Sequence, residues 1–194
     1  MYLFLIPLLA GFACDAASAF TGAYSRRWGE RRGRLITIVL RNVIGIPVWV
    51  VGLGFAVRAP SPAVFASSAP LAVAGWLLLV LGGVVQLLAL AALRARAAAP
   101  SVRDALVEQG PYRRLRHPIY LGLILQFLGI VLVQPHLTVV VACAVGIGWV
   151  PLQARCEELD LVQRLPAYRE YMGRVPRFVP RLGTRTRAPG GGRG

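Results

Sequence analysis

The chain has 194 residues, of which 56% are hydrophobic and only 15% are charged, and its formal net charge is +14. Soluble domains carry roughly 25% charged residues, so this composition argues against a soluble enzyme, a disordered tail and a disulfide-stapled secreted scaffold. The three cysteines are scattered without metal-ligand spacing, and we expect them to be small buried hydrophobes that form no metal site. They are Cys14, Cys143 and Cys156.

Five apolar runs follow one another along the chain, and we interpret them as membrane-spanning helices. They cover residues 2–20, 35–57, 71–93, 118–133 and 137–152. A spanning helix needs about 20 mostly apolar residues, a length that the first three runs supply. The last two runs are short, but the tight Gln134-Pro135-His136 break between them predicts a helical hairpin. The sequence therefore predicts an all-α, multi-pass membrane protein with about five transmembrane helices.

The first apolar run also has one feature of a secretory signal peptide. Its end, Ala17-Ser18-Ala19, resembles a small-residue cleavage site. A signal peptide begins with positive charge, however, and no Lys or Arg precedes this run. We therefore expect the run to remain in the protein as a helix.

The positive charge comes from 22 arginines, and 20 of them lie in alternate connections between the apolar runs. These connections are residues 21–34, 94–117 and 153–194. The connections on the other side, 58–70 and 134–136, contain one arginine, Arg58. The remaining arginine, Arg41, lies inside the second run and can snorkel toward the arginine-rich side. The positive-inside rule places the amino terminus outside and the carboxyl terminus in the cytoplasm of a bacterial inner membrane. The arginines then mark topology and contact anionic lipids, and we expect no nucleic-acid partner.

The fourth run is preceded by the sequence GPYRRLRHPIY, which runs from Gly110 to Tyr120. Pro118 suits the first position of a helix, because its missing N–H needs no partner there. His117 then lies at the cap of that helix and shares a face with Tyr120. An interfacial belt explains Tyr112, but imidazole has no advantage over arginine in such a belt. We therefore single out His117, Pro118 and Tyr120 as candidates for a ligand site.

Three of the eight acidic residues lie just past the fifth run, and they are Glu157, Glu158 and Asp160. The two helices of a hairpin are antiparallel, so its base brings residues 117–120 close to residues 153–158. One interpretation is a solvated helix face, with Asp160 paired to Arg164 at i,i+4. The other is a polar pocket at the membrane boundary, in which the glutamate pair faces His117.

The stretch after these acids predicts an amphipathic helix at the cytoplasmic interface. Leu161, Leu165, Tyr168 and Met172 recur at three- or four-residue spacing. Pro166 interrupts the pattern and is expected to bend or divide the helix.

Four segments follow one another in this half of the chain: GPYRRLRHPIY, the apolar hairpin, EELDL and AYREYMGRVPRFVP. Together they resemble the isoprenylcysteine carboxyl methyltransferase family. That family belongs with the phospholipid methyltransferases among integral-membrane enzymes that use S-adenosylmethionine. The resemblance defines a methyltransferase motif region, residues 105–181, between a three-helix membrane region, 1–104, and a disordered Arg/Gly tail, 182–194. Leu165-Pro166 stands where many relatives have Phe followed by Gly or Pro, and the amino-terminal half carries no family signature.

The resemblance implies S-adenosylmethionine as cofactor, and it implies the residues of the cofactor pocket. These are Arg116, His117, Pro118, Tyr120, Glu157 and Glu158, with Arg116, His117 and Glu158 also the catalytic candidates. Arg116, His117 and free N–H groups at the helix start suit the carboxylate of the cofactor. A glutamate suits its ammonium or its ribose hydroxyls, and Tyr120 suits its sulfonium.

The activity that the resemblance implies is methyl transfer to a lipophilic or lipidated acceptor at the cytoplasmic membrane face. Carboxyl O-methylation of an isoprenylcysteine-like substrate needs no catalytic base, because a carboxylate with a pKa of about 4 is already ionised. Alignment of the carboxylate with the methyl group supplies most of the catalysis. An amine acceptor needs a base. Three alternatives stay open: a phospholipid headgroup N-methyltransferase, an NADPH-dependent membrane reductase, and a non-catalytic membrane protein with a relic cofactor pocket.

Overall fold

The computed structural model describes residues 2–94 and 104–180. Within these ranges the chain is helical, and its β-structure is limited to an isolated bridge between Ala63 and His136. The all-α class predicted from the sequence is thus confirmed. The predicted disordered tail, residues 182–194, lies outside the described residues.

The helices follow the apolar runs but are longer and more continuous than the runs. In chain order they are α1 (Leu5–Ser18), α2 (Thr21–Trp28), α3 (Glu30–Ile38), a π-helix (Val39–Gly45), α4 (Ile46–Arg58), α5 (Ala69–Leu93), a 3₁₀ turn (Gly110–Arg113), α6 (Pro118–Val133), α7 (Leu137–Arg164) and α8 (Tyr168–Arg174). The π-helix joins α3 to α4 without a break, so that one apolar helix runs from Glu30 to Arg58.

Among the described residues, three helices are long and apolar enough to cross a membrane: Glu30–Arg58, α5 and α7. α1 and α2 meet the same criterion together, but they are bent by 63° at their junction. α6 has 16 residues and is shorter than the usual span. A multi-pass membrane protein with three to four candidate spans is therefore confirmed, while the predicted count of five is not.

Two predicted boundaries are wrong. The first run does not continue to residue 20 as one helix, because the chain bends after Ser18, and the connection 21–34 is itself largely helical. α7 does not end near residue 152 but continues to Arg164, giving 28 residues. Its extension remains helical because one face, which includes the buried Ala154 and Glu158, packs inside the protein.

The predicted amphipathic helix after the acids is divided in two. α7 ends before Leu165, whose backbone is extended (φ −126°, ψ 95°). This is the conformation that a following proline, here Pro166, imposes on its neighbour. The seven-residue α8 then begins at Tyr168 and buries both Tyr168 and Tyr171.

The core lies where α1, α4, α6 and α7 meet. Phe12 of α1 stacks against Trp49 of α4 and against Trp149 of α7, at ring-centroid distances of 5.7 Å in both cases. Leu8 and Phe127 are fully buried beside these rings. The outward faces carry large exposed apolar side chains, as expected for helices in contact with lipid.

α5 and α6 pack closely through glycines at matching seven-residue spacing, Gly75 and Gly82 on α5 and Gly122 and Gly129 on α6. A Cβ atom added at Gly122 would lie 2.6 Å from the carbonyl oxygen of Gly82, and one added at Gly129 would lie 2.7 Å from that of Gly75. Small residues at such contacts let two backbones approach within a membrane. This contact fixes the start of α6 against α5.

Replacing Gly122 with leucine is expected to destabilise the protein by about 1–3 kcal/mol, because the added side chain has no space against α5. The measurement is thermal unfolding of the detergent-purified protein. Gly148→Leu is the matched control, since a Cβ at Gly148 on α7 meets nothing within 4 Å. Equal melting temperatures for the two variants would contradict the close packing of α5 on α6.

One end of the molecule is closed by loop pairing. The backbone N–H of Val64 donates to the carbonyl of Pro135 (2.7 Å), and that of Leu137 donates to the carbonyl of Pro62 (2.9 Å). The break between α6 and α7 therefore lies far from the base of the hairpin. His136, within this break, lies 3.1 Å through Nδ1 from the carbonyl oxygen of Ser61.

The opposite end is held together by Asp160. One of its carboxylate oxygens accepts from the backbone N–H of Gly22 (2.8 Å), at the start of α2, and the other from Nε of Arg164 (2.7 Å). The predicted Asp160–Arg164 pair is present, but Asp160 is buried rather than solvated because it caps α2. Arg26 and Gln163 add a hydrogen bond between α2 and α7. The base of the hairpin is at this end.

Candidate active site

The motif before α6 is positioned by the chain that follows α8. The backbone N–H of Arg116 donates to the carbonyl of Pro176 (2.9 Å), and that of His117 donates to the carbonyl of Arg177 (3.2 Å). This two-residue pairing places the side chain of Arg177 beside the motif. Because the partners are 60 residues apart in sequence, the site depends on the whole hairpin.

Three buried tyrosines support this pairing from α8 and the 3₁₀ turn. The hydroxyl of Tyr171 donates to the carbonyl of Tyr112 (2.7 Å), and the ring of Tyr168 lies 5.6 Å from that of Tyr171. Burial raises the pKa of all three hydroxyls, so they stay protonated. Tyr112, which an interfacial belt would place at the surface, is only 8% exposed.

Glu158 is the centre of the charged cluster and is only 2% exposed. Its Oε1 lies 3.1 Å from His117 Nε2 and 3.2 Å from Arg116 Nη1. Arg177 donates to both oxygens, with Nε 3.0 Å from Oε1 and with Nη2 bonded to Oε2. This hydrogen bond raises the pKa of Arg177. Two guanidinium groups thus share the carboxylate of Glu158.

Glu157 points the other way from Glu158. It accepts a hydrogen bond from the hydroxyl of Tyr120 (Oε1, 2.5 Å), and its Oε2 lies 3.6 Å from His117 Nδ1. The imidazole and the Tyr120 ring are stacked, with centroids 5.4 Å apart and planes 17° apart. Each ring nitrogen of His117 thus faces one of the two glutamates.

A cavity of about 530 Å³ opens beside this cluster. Four of the six predicted pocket residues line it: Arg116, His117, Tyr120 and Glu157. The other two do not, because Glu158 lies behind His117 and Arg116, and Pro118 starts α6 as a buried residue. Arg116 lines the cavity while its Nη1 is paired with Glu158. A guanidinium at a cavity wall suits an anionic ligand group.

The cavity is also lined by polar residues that the motif does not include, among them Asp15 of α1 and Arg41 and Asn42 of the π-helix. Arg41, which the sequence analysis allowed to snorkel toward the arginine-rich side, lines the cavity. A charged residue inside an apolar run indicates a functional site. The sequence has such residues at Asp15 and Arg41, so both could have been predicted as site residues. The remaining wall is mostly apolar, with side chains such as Leu90, Leu106 and Leu161 among those that line it.

Comparisons with known proteins agree with the resemblance seen in the sequence. A family model described as phospholipid methyltransferase matches residues 70–165, which extend from α5 through the motif and the hairpin. The cobalt-zinc-cadmium resistance protein CzcN of Cupriavidus metallidurans is 35% identical over 80 residues, 41% of this chain and 37% of that protein. This chain therefore spans little more than a third of the curated relative's length. No solved structure matches significantly. Residues 70–165 of the chain are thus similar to the phospholipid methyltransferase family.

Proposed function

We propose that this protein transfers a methyl group from S-adenosylmethionine to a lipophilic acceptor at the cytoplasmic face of the bacterial inner membrane. The observation that carries the proposal is a single cavity with two kinds of wall. One wall presents Arg116, His117, Tyr120 and Glu157, and much of the rest is apolar. A water-soluble, charged cofactor and an apolar acceptor can meet in such a cavity. The match of residues 70–165 to a methyltransferase family supports the same reaction class.

The residues present fit this cofactor. The guanidinium of Arg116, which lines the cavity, suits its carboxylate. Glu157, which lines the cavity as an acceptor, suits its ammonium or ribose hydroxyls. Glu158 holds Arg116 and His117 in place and is a positioning residue. When bound, the cofactor supplies an electrophilic methyl group, and the protein supplies alignment and exclusion of water.

We also propose that the five apolar runs all cross the bilayer, with the amino terminus outside and the carboxyl terminus in the cytoplasm. The base of the hairpin and the arginine-bearing α2 are at the same end of the molecule. The opposite end contains the paired loops near residues 62–64 and 135–137. This separation supports the orientation that the arginine distribution predicts.

N-methylation of a phospholipid headgroup is the second candidate function, because the matching family is described by that substrate. This reaction needs a carboxylate beside the ammonium group of the acceptor, and the cavity wall supplies Glu157 and Asp15. An NADPH-dependent reductase differs from both candidates because it binds a different cofactor. A relic pocket differs from them because it transfers no methyl group.

Calorimetric titration of the detergent-purified protein with S-adenosylhomocysteine, and with NADPH as control, tests the proposal. We expect saturable binding of S-adenosylhomocysteine alone, and at least tenfold weaker binding by Glu157→Gln. Glu108→Gln, which changes an exposed glutamate outside the cavity, should bind like the wild type. Binding of NADPH instead would identify a reductase, and binding of neither compound to folded protein would overturn the cofactor site. Transfer of a labelled methyl group to a lipid extract then separates an enzyme from a relic.

A further inference from the structure

α2 and α3 form a helical hairpin at the arginine-rich end of the molecule. α2 ends at Trp28 and α3 begins at Glu30, so Gly29 alone links them. Gly29 has a φ of +82°, in the left-handed region that glycine adopts without strain. This link folds α2 back against α3. We call residues 21–38 the α2–α3 corner.

Close packing holds the corner in a fixed shape. A Cβ atom added at Gly33 on α3 would lie 2.5 Å from the backbone nitrogen of Ser25 on α2. The hydroxyl groups of Thr21 and Thr37 are buried between the two helices, 3.0 Å apart. The hydrogen bond from α2 to Asp160, described above, fixes the corner to α7. The outward side chains of the corner are therefore carried on a rigid backbone.

The outward surface of the corner is strongly basic. Five exposed arginines and one acidic residue, Glu30, lie within it. The arginines are Arg26, Arg27, Arg31, Arg32 and Arg34. Arg31, Arg32 and Arg34 form no hydrogen bond or ion pair with any described residue. Arg31 and Arg34 are one helical turn apart on α3, so their guanidinium groups can bind one anionic group together.

The length of the helix that begins at the corner places these arginines at the level of lipid headgroups. Helix Glu30–Arg58 has 29 residues, which at 1.5 Å per residue make it roughly 44 Å long. A bilayer is about 30 Å thick in its hydrocarbon core and about 40–45 Å thick with its headgroups. When this helix crosses the membrane, its first turns lie among the headgroups. Trp28 is 44% exposed at the same level, where tryptophan is enriched in membrane proteins.

These features favour an anionic phospholipid as the partner of the corner. Its phosphate matches the arginines, and its acyl chains match the exposed apolar side chains of the helix that follows, such as Leu35 and Val43. A zwitterionic headgroup brings a cation of its own to the arginines, whereas phosphatidylglycerol does not. A nucleic acid supplies phosphates but has no apolar chain to cover Leu35 and Val43.

We propose that the α2–α3 corner is a binding site for an anionic phospholipid. The phosphate lies between Arg31 and Arg34, Arg32 adds a third positive charge, and the acyl chains follow the exposed apolar side of the helix Glu30–Arg58. The binding requires that this helix crosses the bilayer, and it does not depend on methyl transfer. The arginines of the corner then select a lipid in addition to setting the topology.

The test follows Trp28 in full-length protein held in phosphatidylcholine nanodiscs. Phosphatidylglycerol or phosphatidylcholine with a nitroxide quencher high on one acyl chain is included at equal mole fractions. The signal of Trp28 is the difference in quenching between each protein and the same protein carrying Trp28→Phe. We expect phosphatidylglycerol to bind at least about fivefold more tightly than phosphatidylcholine beside Trp28, the factor that corresponds to one arginine near an anionic lipid. Equal quenching by the two lipids would overturn the site.

Variants localise the preference for phosphatidylglycerol. Arg31→Gln/Arg34→Gln removes two charges from the corner and is expected to reduce the preference to less than about twofold. Arg113→Gln/Arg114→Gln removes two exposed arginines outside the corner and should keep the wild-type preference. Arg31→Lys/Arg34→Lys keeps both charges and should keep most of the preference, because ammonium groups also bind phosphate. Equal preferences in the two glutamine variants would overturn the assignment to the corner.

Competition with DNA distinguishes the lipid from a nucleic acid. A short DNA duplex added at physiological salt should leave the preference for phosphatidylglycerol unchanged. If the duplex abolishes the preference, the corner binds nucleic acid and the lipid site is overturned. Thermal unfolding of the same nanodiscs should give Arg31→Gln/Arg34→Gln the wild-type melting temperature, because both arginines are exposed. A lost preference then reports lipid binding and not a loss of the fold.

Discussion

Glu158→Gln is expected to abolish S-adenosylhomocysteine binding and to lower the melting temperature of the protein. The carboxylate of Glu158 is 2% exposed and contacts His117, Arg116 and Arg177. Its loss leaves two guanidinium groups close together without their counterion. Breaking a buried ion pair by removing one partner costs about 3–5 kcal/mol. Calorimetry gives the affinity, and thermal unfolding in detergent gives the stability.

Glu170→Gln is the matched control for this variant. Glu170 is highly exposed, and its carboxylate lies 3.6 Å from Arg174 in an i,i+4 pair on α8. Such surface pairs contribute little to stability, so this variant should keep both the affinity and the melting temperature. Glu158→Asp retains the charge on a shorter side chain and is expected to fall between the two. Wild-type behaviour of Glu158→Gln in both measurements would refute the role of Glu158 as the centre of the cluster.

Arg116→Met is expected to weaken S-adenosylhomocysteine binding at least tenfold while lowering the melting temperature less than Glu158→Gln does. The ion pair between Arg116 Nη1 and Glu158 Oε1 (3.2 Å) is lost, but Glu158 keeps its contacts with Arg177 and His117. The ligand carboxylate, by contrast, loses a charge-assisted hydrogen bond, which contributes about 1.5–3 kcal/mol. Calorimetry and thermal unfolding measure the two effects separately.

A second ligand shows which part of the cofactor Arg116 binds. 5′-Methylthioadenosine lacks the amino-acid part of S-adenosylhomocysteine, so its affinity should be the same for the wild type and for Arg116→Met. Arg174→Met, at an exposed arginine of α8, should bind both ligands like the wild type. An equal loss of both ligands in Arg116→Met would mean that Arg116 holds the fold of the site and not the carboxylate.

The parts of the fold that could be predicted depend on local signals. The bounds of α6, residues 118–133, agree with the sequence prediction because Pro118 starts the helix and Gln134-Pro135-His136 ends the run. The end of α7 could not be predicted from hydropathy, which reports contact with lipid and not helicity. Beyond residue 152 the helix becomes amphipathic and buries Gln153 and Asp160 against the rest of the protein. The bend after Ser18 likewise has no strong sequence marker.

The candidate site could be predicted in part for a similar reason. The antiparallel hairpin places the two glutamates beside His117 and Tyr120, and the structure brings these residues together. Which glutamate faces the cavity depends on the rotation of α7, because successive helical residues differ by about 100°. Arg177 was not predicted as a partner, since its place depends on long-range backbone pairing after α8. Binding of the cofactor by these residues stays a prediction.

The π-helix between Val39 and Gly45 ties the cavity to the exact length of one helix. A π-helical turn is equivalent to a one-residue insertion in an α-helix, and this one carries Arg41 and Asn42 at the cavity wall. Deleting a single residue here would restore α-helical hydrogen bonding while leaving α3 and α4 in nearly the same relative rotation, because the wide turn had already absorbed the extra residue. Hydropathy would hardly change, yet the side chains within the turn would shift along the wall, and the cavity would lose the present positions of Arg41 and Asn42. Length variation in this helix can therefore alter the pocket while every sequence motif on α6 and α7 stays intact.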